Sequence, residues 1–509
     1  MDRRDFLKKS TVLGLALASP ATRSLELKAL AEEITSMSAS SLSRAIRRQE
    51  VACEEVMQAY LQRIHRYNPV YNAIVSLVDD ADLLSQARLA DKALQKGEYW
   101  GWMHGMPHAV KDLADARGLA SSYGSPIFAG TVATQDSLPI ARIRAHGAIF
   151  IGKTNTPEFG LGSQTYNAVF GTTRNAYNPA LIAGGSSGGA AVSLAAQLVP
   201  VADGSDMMGS LRNPAGFNNV IGFRPSQGRI PSPLAESKLY YEQLSTDGPI
   251  GRTVEDTIRL LGTMAGYDSR APLSLRDTIP SYEEFQPAEL KKLRIGWMGD
   301  YQGYLPMEAG VLPLCESAMK QLSINGTVVE NCTPDYDMAR LWETWLTLRH
   351  WSLSDARPLY DNPETRKLLK PELQWEIEGS IDMTAARISE AGKGRSDWYR
   401  ALHKLFERHD LLALPTAQVF PFSADIHWPE AVNDKPMDTY HRWMEVVIGG
   451  TLAGLPVVNL PAGFDSDGRP MGIQFIGPMG QDRKVLEFAM AYETATNYLD
   501  KRPALAEKL

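Results

Sequence analysis

Asp203-Gly204-Ser205-Asp206-Met207-Met208-Gly209-Ser210-Leu211-Arg212-Asn213-Pro214-Ala215 is the stretch that decides how this 509-residue chain folds. The apolar run from Pro200 to Ala202 reads as a buried strand, and glycines then punctuate a turn that carries a serine. Consecutive main-chain N–H groups ahead of Ser210 can converge on one point, which is what an anionic tetrahedral intermediate requires. Asp206 and Arg212 stand close enough in sequence to pair and brace that turn.

Working outward, Gly184-Gly185-Ser186-Ser187-Gly188-Gly189 lies just upstream and leads into a helical run from Gly189 to Leu198. It contains G-x-S-x-G twice, centred on Ser186 and on Ser187, so a nucleophile elbow served by a late histidine, His427 or His441, is one reading. Such an elbow follows a strand, whereas Asn175-Ala176-Tyr177-Asn178-Pro179 reads as a loop. Gly147-Ala148-Ile149-Phe150-Ile151-Gly152-Lys153-Thr154 fits the P-loop pattern letter for letter. Its middle residues are strand-like and Pro157 follows, so it reads as buried strand rather than phosphate cradle. His108 to Val110 reads as a short strand ending on Lys111.

Helical periodicity runs from Ala39 to Tyr67 and from Asp80 to Leu94, and a helix at Leu138 to Arg144 precedes the strand Ala148 to Ile151. Further strands are expected at Leu293 to Trp297, Thr327 to Val329 and Leu411 to Leu414, with Val457 to Leu460 and Gly472 to Ile476 as a hairpin-like pair. The alternation predicts an α/β fold with a large central mixed, mostly parallel sheet flanked by helices. Residues 36–500 read as a single domain, in which 300–400 form a helical, more variable region on the substrate side. The aromatic residues there, Trp342, Trp345, Trp375 and Trp398 among them, are expected mainly in the core.

Lys111 at a strand end, Gly-Gly-Ser-Ser-Gly-Gly at 184–189 and Gly-Ser-Asp-x-x-Gly-Ser-Leu-Arg-x-Pro-Ala at 204–215 together resemble the amidase signature family, whose members hydrolyse amides with a Ser-Ser-Lys triad. The separations, 75 residues from Lys111 to Ser186 and 24 from Ser186 to Ser210, match the family pattern. Blocks at 152–158, 222–229 and 454–461 are similar too. The resemblance implies the amidase signature fold, with Ser210 as nucleophile, Lys111 as general base and Ser186, usually preceded by a cis peptide bond, as the bridging serine. It implies an oxyanion hole from the N–H groups of Met207, Met208 and Gly209, with Asp206 and Arg212 in support. No cofactor and no metal is implied, and His104 and His108 straddle Gly105 and Pro107 rather than share a helix face. Met208 departs from the glycine common in the family. Either φ there is already negative, or the paired methionines reshape the pocket wall and favour an apolar substrate.

A serine hydroxyl becomes a nucleophile when a neighbour takes its proton, and lysine can do so only when neutral. Bringing a lysine from near 10.4 to about 7 takes roughly 4.6 kcal/mol of desolvation and hydrogen bonding.

The charge balance, 52 Lys+Arg against 59 Asp+Glu for a net −7, lacks the basic stripe that a nucleic acid partner calls for. Three cysteines make neither a disulfide framework nor a four-thiolate site. Residues 1–21, with Arg3-Arg4-Asp5-Phe6-Leu7-Lys8 ahead of a short apolar run, read as a twin-arginine-type signal peptide, which places the mature protein in the periplasm or outside the cell. No later run is long enough for stable membrane insertion. The expectation is an exported amidase that hydrolyses a small linear carboxamide to acid plus amine or ammonia; homodimers are common in the family. The competing readings are an α/β-hydrolase-like esterase, an amidotransferase subunit, and an inactive binding protein on the same scaffold.

Overall fold

The computed structural model describes residues 29–232, 240 and 243–508, so the signal-like residues 1–21 lie outside the described residues. The strands of the two larger sheets are β1 Ile74–Val75, β2 Pro107–Lys111, β3 Ile149–Thr154, β4 Ala202–Asp206, β5 Ile221–Arg224, β6 Thr246–Gly251, β7 Arg294–Trp297, β8 Val328–Asn331, β9 Leu411–Pro415, β10 Val457–Phe464 and β11 Pro470–Ile476. The helices that matter here are α1 Ala39–Arg47, α2 Cys53–Tyr71, α3 Asp80–Gln95, α4 Leu138–Ala145, α5 Gly188–Ala195, α6 Asn213–Phe217, α7 Val254–Met264, α8 Val311–Ile324, α9 Met338–Leu353, α10 Pro371–Glu378, α11 Ala385–Phe406 and α12 Asp482–Thr496.

Eight strands form one sheet in the order β8-β7-β9-β11-β10-β5-β6-β4, and β1-β3-β2 form a smaller one. The mixed sheet flanked by helices is as the alternation predicts, but the parallel share is smaller. Within the large sheet only β8/β7 and β7/β9 pair parallel, and the other neighbours are antiparallel. The reason is insertion. β4 and β5 run the same way through the crossover helix α6, yet β6 slots between them antiparallel to both. Likewise β11 returns from β10 and separates it from β9.

Local chemistry moves some boundaries. The expected helix from Ala39 to Tyr67 is two helices, because Gln49 adopts φ +55° and Cys53 restarts the helix with its N–H on Asp91 Oδ1 at 2.7 Å. The strand expected at Pro200 to Ala202 lies instead at Ala202–Asp206. Its polar residues can be buried because Asp203 accepts from His108 Nε2 and from the Lys111 N–H. The P-loop look-alike is β3, with the Lys153 ammonium buried among Ala114 O, Ser121 Oγ and Asp112.

The apolar interior has two main parts. One packs α1, α2 and α3 with β1–β3 and the fully buried α5; the other packs the large sheet with α7, α8, α9, α11 and α12. The turn after β4 lies where they meet, since Met208 belongs to the sheet core and Leu211 to the helical one. Helix α5 can start against β3 only because Gly189 has no side chain: a Cβ there would stand 2.3 Å from Asn155 N and 2.5 Å from Ala73 O. That close approach sets Ser186 and Ser187 over the end of β2.

Candidate active site

Strand β2 delivers Lys111 into the interior, where it is 1% exposed. Its Nζ donates to Ser186 Oγ at 2.9 Å, Ser187 Oγ at 2.8 Å and Ser205 Oγ at 3.0 Å. Burial pushes the ammonium down from 10.5 to about 7, against the opposing pull of Asp247, Asp203 and Asp206. Lys111 is therefore available as a base near neutral pH. The Gly185–Ser186 peptide bond is cis. Ser186, Ser187 and Ser210 are all buried.

The turn that carries Ser210 is held from inside. Asp206 accepts from the N–H groups of Gly209 (2.9 Å) and Leu211 (3.1 Å) and from Arg212 Nε (3.0 Å) and Nη2 (2.9 Å). Arg224, absent from the expected set, reaches the Asp206 carbonyl and carboxylate. Although burial opposes ionisation, Arg212 and Arg224 hold the Asp206 carboxyl well below the usual carboxylate range. The Gly209 N–H is thereby committed to Asp206, which removes it from the expected oxyanion donors. The N–H groups of Met207, Met208 and Ser210 have no partner among the described residues. Gly209 is the left-handed residue of the turn, φ +80°, whereas Met208 is not among the residues with positive φ. Methionine therefore fits at 208 without strain.

A family model described as Amidase matches residues 55–486. The chain is 32% identical to a glutamyl-tRNA(Gln) amidotransferase subunit of Thermosynechococcus vestitus, over 91% of this chain and 99% of that protein. It is 30% identical to an acylamidase of Rhodococcus erythropolis, over 92% of this chain and 97% of that one. Among solved structures it is similar to a bacterial aryl acylamidase described as an amidase signature enzyme, with a TM-score of 0.85 and 27% identity over 91% of this chain and 98% of the other. The chain belongs to the amidase signature family.

This amidase signature enzyme brings Lys111 and Ser186 into hydrogen bonding, sets Asp206 against Arg212, and carries Ser210 on the braced turn. It does not bring a histidine to any of these serines. His427 stacks on Tyr166 at 4.1 Å, and His441 is buried among Trp342, Trp375 and Tyr440 with neither ring nitrogen hydrogen-bonded. An elbow-type hydrolase would have no base here. No group of histidine, cysteine or acidic residues among the described residues could hold a metal ion. No helix among them is long and apolar enough to cross a membrane.

Sequence reasoning missed two hydroxyls on Nζ. Ser187 was visible as the second G-x-S-x-G centre, and Ser205 sits inside the deciding stretch, yet nothing in their spacing tells that both turn toward Lys111. It also missed a buried polar cluster behind Met207. There Arg349 donates to Glu376 Oε1 (2.5 Å) and Tyr440 OH (2.7 Å), and its Nη1 lies 3.2 Å from Met207 Sδ. These partners come from α9, α10 and a loop far along the chain, so no local pattern announces them.

Proposed function

We propose that this protein is an exported amidase that hydrolyses a small linear carboxamide to acid plus amine or ammonia through an acyl-enzyme on Ser210. The observation that carries the reading is the buried Lys111 ammonium, lowered to about 7 and hydrogen-bonded to Ser186 at 2.9 Å. Neutral Lys111 draws a proton from Ser210 through the Ser186 hydroxyl as Ser210 Oγ attacks the amide carbonyl. The oxyanion is received by the free N–H groups of Met207, Met208 and Ser210. The proton returns through Ser186 to the leaving amine, and water then cleaves the ester with Lys111 again as base. Asp206, Arg212 and Arg224 hold the turn in place and do not touch the reacting atoms.

The signal-like residues 1–21 support export to the periplasm or beyond, since a protein with a folded α/β core of this kind can leave by the twin-arginine route. A second reading, an amidotransferase component, is favoured by the 32% identity to the glutamyl-tRNA(Gln) amidotransferase subunit. The signal-like leader supports the simple amidase instead, because export separates the chain from tRNA.

A fluorophosphonate probe and an amide panel test the proposal. Wild type is expected to take the label and to release amine from apolar amides faster than ammonia from glutamine. Ser210→Ala is expected to take no label and to lose about a thousandfold or more in rate. His441→Ala keeps its label. An unlabelled wild type, or equal labelling of Ser210→Ala, overturns the hydrolase reading. A preference for glutamine selects the amidotransferase one.

A further inference from the structure

Beyond the serine pair, Lys111 also forms part of a second wall. A cavity of about 180 Å³ is lined by Lys111, Asp203, Ser205, Ser232, Thr246 and Asp247 among others, but by none of Ser186, Ser187 and Ser210. That volume accommodates several waters. Ser205 links the two sides. Its Oγ is 3.0 Å from Lys111 Nζ, and on the β4/β6 ladder Ser205 faces Asp247 directly, so the two side chains share one face of the sheet.

The carboxylates around Lys111 are not equivalent. Asp206 is held by Arg212 and Arg224, and Asp203 by His108 Nε2 and the Lys111 N–H. Asp247 has no cation paired to it among the described residues and is only partly exposed; the charged groups acting on it are Asp203 and Lys111, with a hydrogen bond from Ser232. Burial and Asp203 raise its carboxyl to about 6, close to Lys111 at about 7. Two groups so nearly matched can exchange a proton in either direction.

Amide hydrolysis creates the need for such an exchange. On the acyl-enzyme reading proposed above, the amine leaves neutral and takes its second proton from solvent. The acid product forms beside Lys111. An ordinary carboxylic acid, near 4, gives its proton to a lysine near 7. Each turnover therefore ends with a carboxylate product and a charged Lys111, and one proton must leave Nζ before the next. The Ser186 side is occupied by product at that moment.

We propose that Asp247 is the proton outlet of Lys111, reached through the Ser205 hydroxyl and opening to solvent through the cavity that Asp247 and Ser205 share. In the transfer Ser205 Oγ accepts a proton from Nζ and releases its own toward the Asp247 carboxylate. That leaves Lys111 neutral, Ser205 unchanged and Asp247 protonated, and Asp247 then gives the proton to cavity water. No electrons move and no heavy-atom bond changes.

Rapid mixing with an amide that the wild type cleaves, at pH 8 where Lys111 starts neutral, separates this role from a structural one. Asp247→Asn is expected to release the first equivalent of amine at the wild-type rate and then to cycle about tenfold slower in dilute buffer. Its steady-state rate is expected to climb toward wild type as imidazole is added, since a small diffusible base replaces the carboxylate, while the wild type stays flat. Ser205→Ala cuts the path at its other end and also takes a hydrogen bond from Lys111 Nζ; whatever its first-turnover rate, it is expected to show a burst of amine followed by slow cycling that imidazole does not rescue. The proposal is overturned by an Asp247→Asn that cycles at the wild-type rate in dilute buffer, or by one whose first turnover is slowed equally and ignores imidazole. A Ser205→Ala enzyme cycling at the wild-type rate overturns it as well, which covers an Asp247→Asn that fails to fold. A wild type that forms no acyl-enzyme removes the hydrolase reading first, and the outlet with it.

Discussion

At the scale of single residues, the proposed mechanism makes Lys111 set the pH range in which the site can work. Its ammonium is lowered from 10.5 to about 7 because it is buried and its nitrogen meets hydroxyls rather than carboxylates at close range. The base form grows as pH rises, so kcat/KM is expected to rise about tenfold per pH unit below 7 and to level off above it. Lys111→Arg keeps a charge at every accessible pH. Its activity is therefore expected to stay at least a thousandfold down from pH 6 to pH 10, measured as amine release; recovery at pH 10 would mean that another group is the base. Met208 is the second residue of interest. Because Gly209 carries the positive φ, Met208→Gly relieves no strain. It removes a side chain that is only 3% exposed and is expected to destabilise the protein by about 2–4 kcal/mol in urea unfolding. If the thioether lines the substrate, rates on apolar amides fall more than on polar ones; equal changes take Met208 out of specificity.

At the scale of elements, the turn between β4 and α6 is a charged bracket around one carboxylate. Asp206→Ala would leave Arg212 and Arg224 buried without their anion and the Gly209 and Leu211 N–H groups without an acceptor. The expected loss is about 3–5 kcal/mol, read from the urea midpoint. Gly209→Ala strains the same turn in two ways, since φ is +80° and the new methyl would lie 2.9 Å from Val447 Cγ2. Val447→Ala in that background is expected to restore only part of the lost kcat, because it opens space without changing φ.

The ion pair of the bracket was legible in the sequence because Asp206 and Arg212 lie within one turn, whereas Arg224 and the Gly209 and Leu211 N–H groups on Asp206 were not. Lys111 and Ser186 were legible through their spacing and family resemblance, and their contact was not visible without the fold. What stayed hidden was set by distant partners. Thr246–Gly251 reads T-D-G-P-I-G, a turn-like composition, and becomes a strand only because β4 and β5 leave a place between them. Ala202–Asp206 looked like the start of a turn because its residues are polar, and it is a buried strand because His108 and Arg212 await its carboxylates. The Gly209 amide could not be struck from the oxyanion set before the Asp206 carboxylate was seen to turn back onto it.

At the scale of the whole molecule, buried acids make stability and activity peak at different pH. Burial raises Glu445 from 4.5 to about 7, Glu493 likewise to about 7, and Asp247 to about 6. Each binds its proton in the folded state before the unfolded chain does, so each adds stability as pH falls from 7 toward 4.5, about 3 kcal/mol for Glu445. Lys111 changes little there, being protonated in both states below about 7. His441 opposes the trend, since burial keeps it neutral well below 6.5 and the unfolded chain takes up that proton first. Glu376, lowered to about 2 by Arg349 and by the nearby His350 despite its burial, and Asp206 add stability above about 4.5 that is lost as pH falls further. Asp112, Glu158 and Asp256 are raised by burial as well, and these acids together outweigh the two histidines that burial lowers, His441 and His146, down to about pH 5; below pH 4 the losses dominate. Tm is therefore expected to be a few degrees higher at pH 5 than at pH 7 and to fall steeply by pH 3, with Glu445→Gln flattening the rise. Over the same interval the amidase rate should drop about a hundredfold as Lys111 gains its proton. A Tm that is highest at pH 7, or a rise between pH 7 and 5 that Glu445→Gln leaves unchanged, would show that these carboxyls are ionised in the folded protein and that the interior is wetter than its packing implies.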